Sequence, residues 1–391
     1  MTDIFIIAGG GIGGLATALA LQNHGFPCQI YERDIDFNSR RQGYSLTIQK
    51  NGFEALENLG IGENVRTMGR ERIVSGTCTY NNCGDIIFSK PKRRTSSRRF
   101  ENFAISRQSL RQCLMNELKS DIIQWNKAIT RYETIPDDPC HVRIFLSGNS
   151  SIVGRALIGC DGVRSSIRKQ MLRDDLNYLG VWAINGIAPH DDNKILLNQT
   201  IQMIDGKSRL FVKPFSIGKC MWQLTFKVSM EDEMIHHLLD QNDFEGLLNR
   251  AKSITNEWHE PIPKLINDTR VSDIRVGPLF DRNPLDTINK DVSCVTMLGD
   301  AVHPMSPFKG QGANQALADA VSLVNYLMQY VTEDRGAEKA FAEFEREMLT
   351  RSRDHVLRSR LAVTFLHSEN ALSNENMFEF VRGKVSLEKI I

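Results

Sequence analysis

"FIIAGGGIGGLATALALQNHGFPCQIYER", residues Phe5 to Arg33, contains Gly9, Gly11 and Gly14 in the spacing GxGxxG. An isoleucine-rich run from Asp3 to Ala8 precedes the glycines, as expected of a strand buried on both faces of a parallel sheet. After them, Leu15, Ala18, Leu19 and Leu21 recur at helical spacing until Gly25. A second short strand, CQIYE, then ends at Glu32, eighteen residues after Gly14. Strand, glycine turn, helix, strand and acid form a dinucleotide-binding unit. Gly9 permits the tight turn, Gly11 lets the backbone approach a pyrophosphate, and Gly14 lets helix and strand pack closely. The helix start, including Gly13, offers unpaired N–H groups to phosphate, and Glu32, with Arg33 beside it, can accept from ribose hydroxyls. This loop alone does not separate NAD from FAD.

The rest of the 391-residue chain bounds what such a unit can serve. At about 150 residues per domain, two to three structural units are expected. A net charge of +1 gives no general argument for nucleic acid. No stretch reaches the roughly 18 uncharged apolar residues that span a bilayer. The opening MTDIFII lacks a basic, cleavable leader, so a cytoplasmic protein is expected. Eight cysteines without a CxxC pair read as reduced thiols, with no metal site. The basic run 90–100, KPKRRTSSRRF, lacks the aromatic partners of a nucleic-acid surface and reads as a solvated loop.

Two later stretches narrow the cofactor. In "CVTMLGDAVHPMSPFKGQGANQALADA" (294–320), a buried strand reaches Gly299-Asp300, and a loop with Pro307, Phe308, Gly310 and Gly312 leads into a helix at Ala313. An acid at this second strand end suits the hydroxyls of a ribitol chain, which FAD has and NAD lacks. The backbone at Gly310 and Gly312 can face negative charge on a reduced flavin. The other stretch, "ALIGCDGVRSSIRKQ" (156–170), carries Asp161-Gly162, by itself a common turn pair.

With Gly9/Gly11/Gly14, Asp161-Gly162 (with Ser165 and Arg168) and Gly299-Asp300 (with His303) in that order, the chain resembles the class A, para-hydroxybenzoate hydroxylase type, flavoprotein monooxygenases. "YERD" and "GDAVHPMSPFKGQGAN" look closest to the tetracycline-inactivating branch. The resemblance implies an α/β fold: a Rossmann-like FAD-binding domain, an inserted antiparallel-sheet substrate domain and a long C-terminal helix. It implies FAD held by the first and third motifs, with Asp161 serving both FAD and NAD(P)H. It also implies that "ISRQSLRQCLMNEL" brings Arg107 to the flavin, and that Arg40 or Arg41 lies near flavin and nicotinamide. The chemistry implied is hydroxylation of an electron-rich phenol or enol, possible substrates including tetracycline-like polycycles, through a flavin C4a-hydroperoxide. No catalytic base is named, and His303 reads as a packing or capping residue.

Only one glycine fingerprint exists, so NAD(P)H docks without a Rossmann domain of its own. Residues 178–227 alternate in short runs separated by turn signals, an antiparallel sheet with Phe211, Phe215, Trp222 and Phe226 as candidates for a substrate floor beside Pro307 and Phe308. No histidine lies between His190 and His236, a departure from the tetracycline branch, whose substrate sheet includes one. The expected boundaries are 1–73, 101–176 and 271–330 for the FAD-binding domain, 74–100 and 177–270 for the substrate domain, and 331–391 for a bridging helix and tail. A monomer acting on a small molecule and oxygen is expected. The alternatives are a flavin-dependent reductase or halogenase of the same fold; the paired-tryptophan halogenase motif is absent.

Overall fold

The computed structural model describes residues 3–39, 45–69, 76–91, 102–136, 138–189, 200–216, 218–229, 242–330 and 336–385. Phe5–Ala8 is the middle strand of a five-stranded sheet, flanked by Ala156–Gly159 and Cys28–Tyr31, with Val295–Met297 and Ile123–Gln124 at its edges. Every pairing in it is parallel. Phe5 to Ala8 and Ala156 to Ile158 are almost wholly buried, because the covering helices and the three-stranded antiparallel sheet Ile129–Ile135, Asp138–Leu146, Ser151–Gly154 enclose them in one core and leave no solvated side for polar residues. The helix Ile12–Asn23 packs on this sheet beside the helix Gly312–Tyr330. All three sequence motifs therefore sit at the C-terminal ends of adjacent parallel strands, where open α/β sheets bind their ligands.

The second unit is a seven-stranded sheet in the order Ile274–Asp281, Asn177–Pro189, Lys219–Lys227, Ser208–Ser216, Thr200–Ile204, Gly76–Asn81, Ile86–Pro91. It is antiparallel except where Thr200–Ile204 runs parallel to Gly76–Asn81. The expected boundary returns the chain to the FAD-binding domain at residue 271. The structure corrects this: Ile274–Asp281 is the edge strand of the seven-stranded sheet, paired with Asn177–Pro189. A strand is held by its backbone partner, and that partner cannot be read from the strand's own residues. One face of the sheet is covered by the helices Phe244–Thr255 and Ile262–Asn267 around Trp182, Trp222, Leu224 and Phe226. The other face looks toward the parallel-sheet unit.

The helix Gly336–Leu366 runs along both units. Phe341, Phe344 and Met348 belong to the core around the parallel sheet, whereas Phe365 and Leu366 pack with Ile87 and Ile204 of the seven-stranded sheet. Among the described residues no helix is long and apolar enough to cross a membrane.

Candidate functional site

The glycine turn is built around close approach. Gly9 has φ +99°, and a Cβ there would lie 2.8 Å from the carbonyl oxygen of Cys160. A Cβ on Gly14 would collide with the carbonyl of Gly9, so this glycine keeps helix and strand in contact. Gly13 acts in the same way, since a Cβ would approach Leu298 to 2.9 Å, and the residue does not line the cleft. Gly11 is different. Its φ of −73° is open to any residue, and the nearest atom to a Cβ would be Nη2 of Arg107 at 3.9 Å. Within the protein nothing requires glycine at this position; the space opens onto the cleft.

That cleft, about 600 Å³, is lined by Gly9, Gly11, Glu32, Arg33, Arg107, Asp161 and Asp300, among others. Glu32 is buried and accepts from the Gly10 N–H at 2.6 Å and the Asp34 N–H at 2.9 Å, which leaves acceptor capacity on both oxygens. Gly11 is the N-cap of Ile12–Asn23 and supplies no side-chain cap, so the first N–H groups of that helix stay open. Asp161 Oδ2 accepts from the Ser166 N–H at 2.8 Å, at the start of Ser166–Leu172. Its buried Oδ1 has no hydrogen-bond partner among the described residues. Arg168 donates to the carbonyls of Val163 and Ala301, tying the Asp-Gly loop to the Gly-Asp loop.

Asp300 and Arg107 each line both this cleft and a second cavity of about 570 Å³. The Asp300 side chain is exposed to the cleft, and the protein crowded around it raises its pKa, with His303 and Arg107 opposing. Beneath it, the fully buried Asp319 accepts from the Gly299 N–H at 2.8 Å, bonds His303 Nε2 at 2.7 Å and accepts from Arg351 Nη2 at 2.9 Å. Burial pulls the His303 pKa down, but the Asp319 charge and hydrogen bond reverse this and leave it raised. Burial pushes Asp319 up, but His303 and Arg351 leave it lowered. His303 lines neither cavity and holds the loop in shape.

The second cavity begins at the loop Pro307, Phe308, Gly310, Gly312 and Ala313. Gly310 is left-handed, φ +62°, which a side chain rarely tolerates. Asn314 locks the loop: its Oδ1 accepts from the Gln49 N–H at 2.9 Å, and its Nδ2 donates to Thr47 and Gly310 carbonyls. Opposite stands the seven-stranded sheet. The expected floor residues divide by pleat: Phe211 lines the cavity, while Trp222 and Phe226 are buried on the other face against the helices. Trp222 Nε1 donates to Thr269 Oγ1 at 2.8 Å there. Phe215, beside the register shift between Pro214 and Ser216, does not line the cavity either. Aromatic content selects these residues, but alternation in a paired strand sends neighbours to opposite faces. The lining positions are Met221, Gln223, Arg209, Lys213 and Asn185.

Residue type alone passes over several members of the site. Arg111, one turn after Arg107, is buried and donates from Nε to the Gly10 carbonyl at 3.3 Å; its i, i+4 spacing is the available signal. Arg209 and Lys213 lie two residues either side of Phe211, the strand period that would find them. Asp319, Gln49 and Asn314 carry no local signal. Arg40, Arg41 and the basic run from 92 onward lie outside the described residues.

The residues fit FAD on their own chemistry. Gly11 leaves room that only an occupant uses, Asp161 has a buried oxygen without a donor, and the cleft meets a second cavity at Asp300 and Arg107. The comparisons agree with this fit. A family model described as "FAD binding domain" matches residues 1–175 and 286–359. The chain is 29% identical over 353 residues to aurachin C monooxygenase/isomerase of Stigmatella aurantiaca, covering 90% of this chain and 86% of the relative. It is 27% identical over 391 residues to the FAD-dependent urate hydroxylase of Klebsiella pneumoniae, covering 99% and 96%. The solved tetracycline destructase Tet(51) superposes with a TM-score of 0.70 at 18% identity, over 98% of each chain, a likeness of fold. The chain belongs to the FAD binding domain family, among the FAD-dependent monooxygenases.

Proposed function

We propose that this enzyme hydroxylates a phenolic, enolic or polycyclic aromatic small molecule, with NAD(P)H as reductant and dioxygen as co-substrate. The observation that carries the reading is the junction at Arg107 and Asp300, residues common to the dinucleotide cleft and the cavity over the seven-stranded sheet. A dinucleotide lying along the glycine turn thereby has its far end beside a separate substrate chamber. When bound, FAD would supply the redox chemistry, hydride acceptance and oxygen activation.

The chain's own part is binding, orientation and exclusion of water. Gly9, Gly11, Glu32, Arg33 and Asp161 hold the nucleotide end, with Gly13 and Gly14 supporting the turn. Asp300 accepts hydroxyl hydrogen bonds in the middle of the site. The N–H groups of Gly312 and Ala313, at a helix start, face negative charge at the reacting end. Arg107 bridges the two spaces, and Arg40 or Arg41 meets the phosphates of NAD(P)H. Phe211, Met221, Pro307 and Phe308 give the chamber apolar walls, which keep water from the activated oxygen.

The test is FAD-loaded enzyme with NADPH or NADH and a panel of phenols and polycyclic enols, following NAD(P)H oxidation, oxygen uptake and product mass. A substrate that stimulates all three and gains one oxygen atom is the expected result. Reduction of a substrate double bond without oxygen uptake would replace this reading with the reductase one.

A further inference from the structure

Behind the loop that follows Asp300, four side chains from distant parts of the chain pass hydrogen bonds along in one direction. Arg351 Nη1, on the helix Gly336–Leu366, donates to Gln315 Oε1 at 2.6 Å, and Gln315 Nε2 donates to Gln311 Oε1 at 3.0 Å. Gln311 Nε2 donates in turn to Gln49 Oε1 at 2.8 Å. Gln49 Nε2 ends the chain on the carbonyls of Lys309 and Gly310, at 2.9 and 3.3 Å. Gln49, Lys309 and Gly310 line the second cavity, whereas Gln311 and Gln315, 9% and 1% exposed, line neither cavity.

The direction is forced from both ends. A guanidinium only donates and a carbonyl only accepts, so each amide between them has one orientation that satisfies its neighbours. Asn51 Nδ2 adds a second donor to Gln311 Oε1 at 3.1 Å, which fixes that amide from the side. Arg351 is itself anchored by Glu347 and Asp319. The Gly310 carbonyl also accepts from Asn314 Nδ2 at 2.7 Å, so both its acceptor places are taken. Aligned hydrogen bonds polarise one another, and here every donor end points toward the loop. Asn314 already ties the loop to the Thr47 carbonyl and the Gln49 N–H. What the glutamine chain adds is donors on carbonyl oxygens of the cavity wall.

We propose that Gln49 and Gln311 are positioning residues that set the reduction potential of the bound flavin. Gly312 and Ala313, next along the loop, offer N–H groups to the charge that gathers on a flavin as it is reduced. A carbonyl oxygen freed beside them would bring partial negative charge to the same place and oppose that charge. By keeping the Lys309 and Gly310 oxygens under amide donors, the chain makes the reduced form easier to reach. The proposal rests on the proposed function only in setting the flavin ring beside this loop. Its bland competitor is that the glutamines do no more than hold the loop shut.

The deciding quantity is the two-electron midpoint potential of FAD-loaded protein, measured anaerobically against a dye of known potential with no substrate present. Gln49→Met should lower it by about 30 mV or more, a tenfold loss of preference for the reduced flavin. Gln311→Met should lower it too, although this residue lines neither cavity. Gln49→Asn, one methylene shorter at a half-buried position, is the milder variant and should move the potential the same way. Since Gln311 acts through Gln49, the double methionine variant should fall no further than the larger single one. An unchanged potential in both Gln49 variants, or in Gln311→Met, would overturn the proposal. So would a double variant whose fall is the sum of the two. Shifted potentials in an enzyme that inserts no oxygen into any substrate would uphold it while removing the monooxygenase reading, so the two failures are told apart.

Discussion

Gly11 and Asp300 test what single residues contribute. Glycine at position 11 relieves no strain and avoids no clash inside the protein, so its value lies in what the cleft holds. Gly11→Leu should abolish FAD binding while the protein stays folded, measured as flavin content beside circular dichroism. Full flavin occupancy in that variant would mean the cradle lies elsewhere. Asp300 is tied to the core by no hydrogen bond of its carboxylate among those described, and it lines both the cleft and the second cavity. Asp300→Ala should weaken FAD by roughly tenfold or more, the scale of a lost charge-assisted bond. The melting temperature of the FAD-free protein should hardly move. Equal affinity with a lowered melt would make Asp300 structural.

At the scale of elements, the Gly-Asp loop is fastened to two helices through Asp319, which lies on Gly312–Tyr330 and meets Arg351 of Gly336–Leu366. Two titrations bear on this joint, and they have opposite signs. His303 has a raised folded pKa, so its contribution is complete below its ordinary 6.5 and is lost as pH rises through the folded value. Asp319 has a lowered folded pKa, so its contribution is complete above its ordinary 3.8 and is lost as pH falls through the folded value. Asp319→Asn should therefore cost most between these two limits, about 3 kcal/mol for a broken buried pair. The deficit should narrow at more acid and more alkaline pH. Chemical denaturation of both proteins across that range checks it; a deficit independent of pH would show that charge is not what holds the loop.

For the whole molecule, the question is what keeps the substrate sheet in register with the cofactor cleft. The helix Gly336–Leu366 touches both cores, and Arg360 on it makes two bonds, 2.8 and 2.9 Å, to the fully buried Asp281 at the end of the edge strand. His367 just beyond it bonds Thr225 of the sheet through Nε2 at 3.0 Å. Burial pushes the His367 pKa down to about 4, so it stays neutral in ordinary conditions. Arg360→Ala leaves a buried carboxylate without its cation and should destabilise the protein by about 2 kcal/mol, less than a fully enclosed pair because Arg360 is partly exposed. Thermal unfolding reads that loss. Substrate KM should rise with FAD affinity unchanged, since the helix braces the chamber against the cleft; a uniform loss of FAD would point to one cooperative unit instead.

The dinucleotide turn, the second strand-to-helix turn and the long C-terminal helix were all legible in the chain. Each depends on consecutive residues: a glycine where the backbone must approach closely, an acid at a strand end, an apolar stripe at helical period. The same locality let three motifs in order point to the flavin family. The substrate chamber was not legible to the same degree. Phe211, Trp222 and Phe226 look alike in the sequence, yet strand pairing sends the first into the cavity and the other two into the core behind it. A shift of one residue in register would exchange the two faces, and register is set by partners on other strands, as where Phe226 pairs with Trp182. The assignment of Ile274–Asp281 to the substrate sheet has the same cause. Whether Arg209 and Lys213 are solvated charges or buried ones depends on what packs above their strand, and that is a property of the assembled fold.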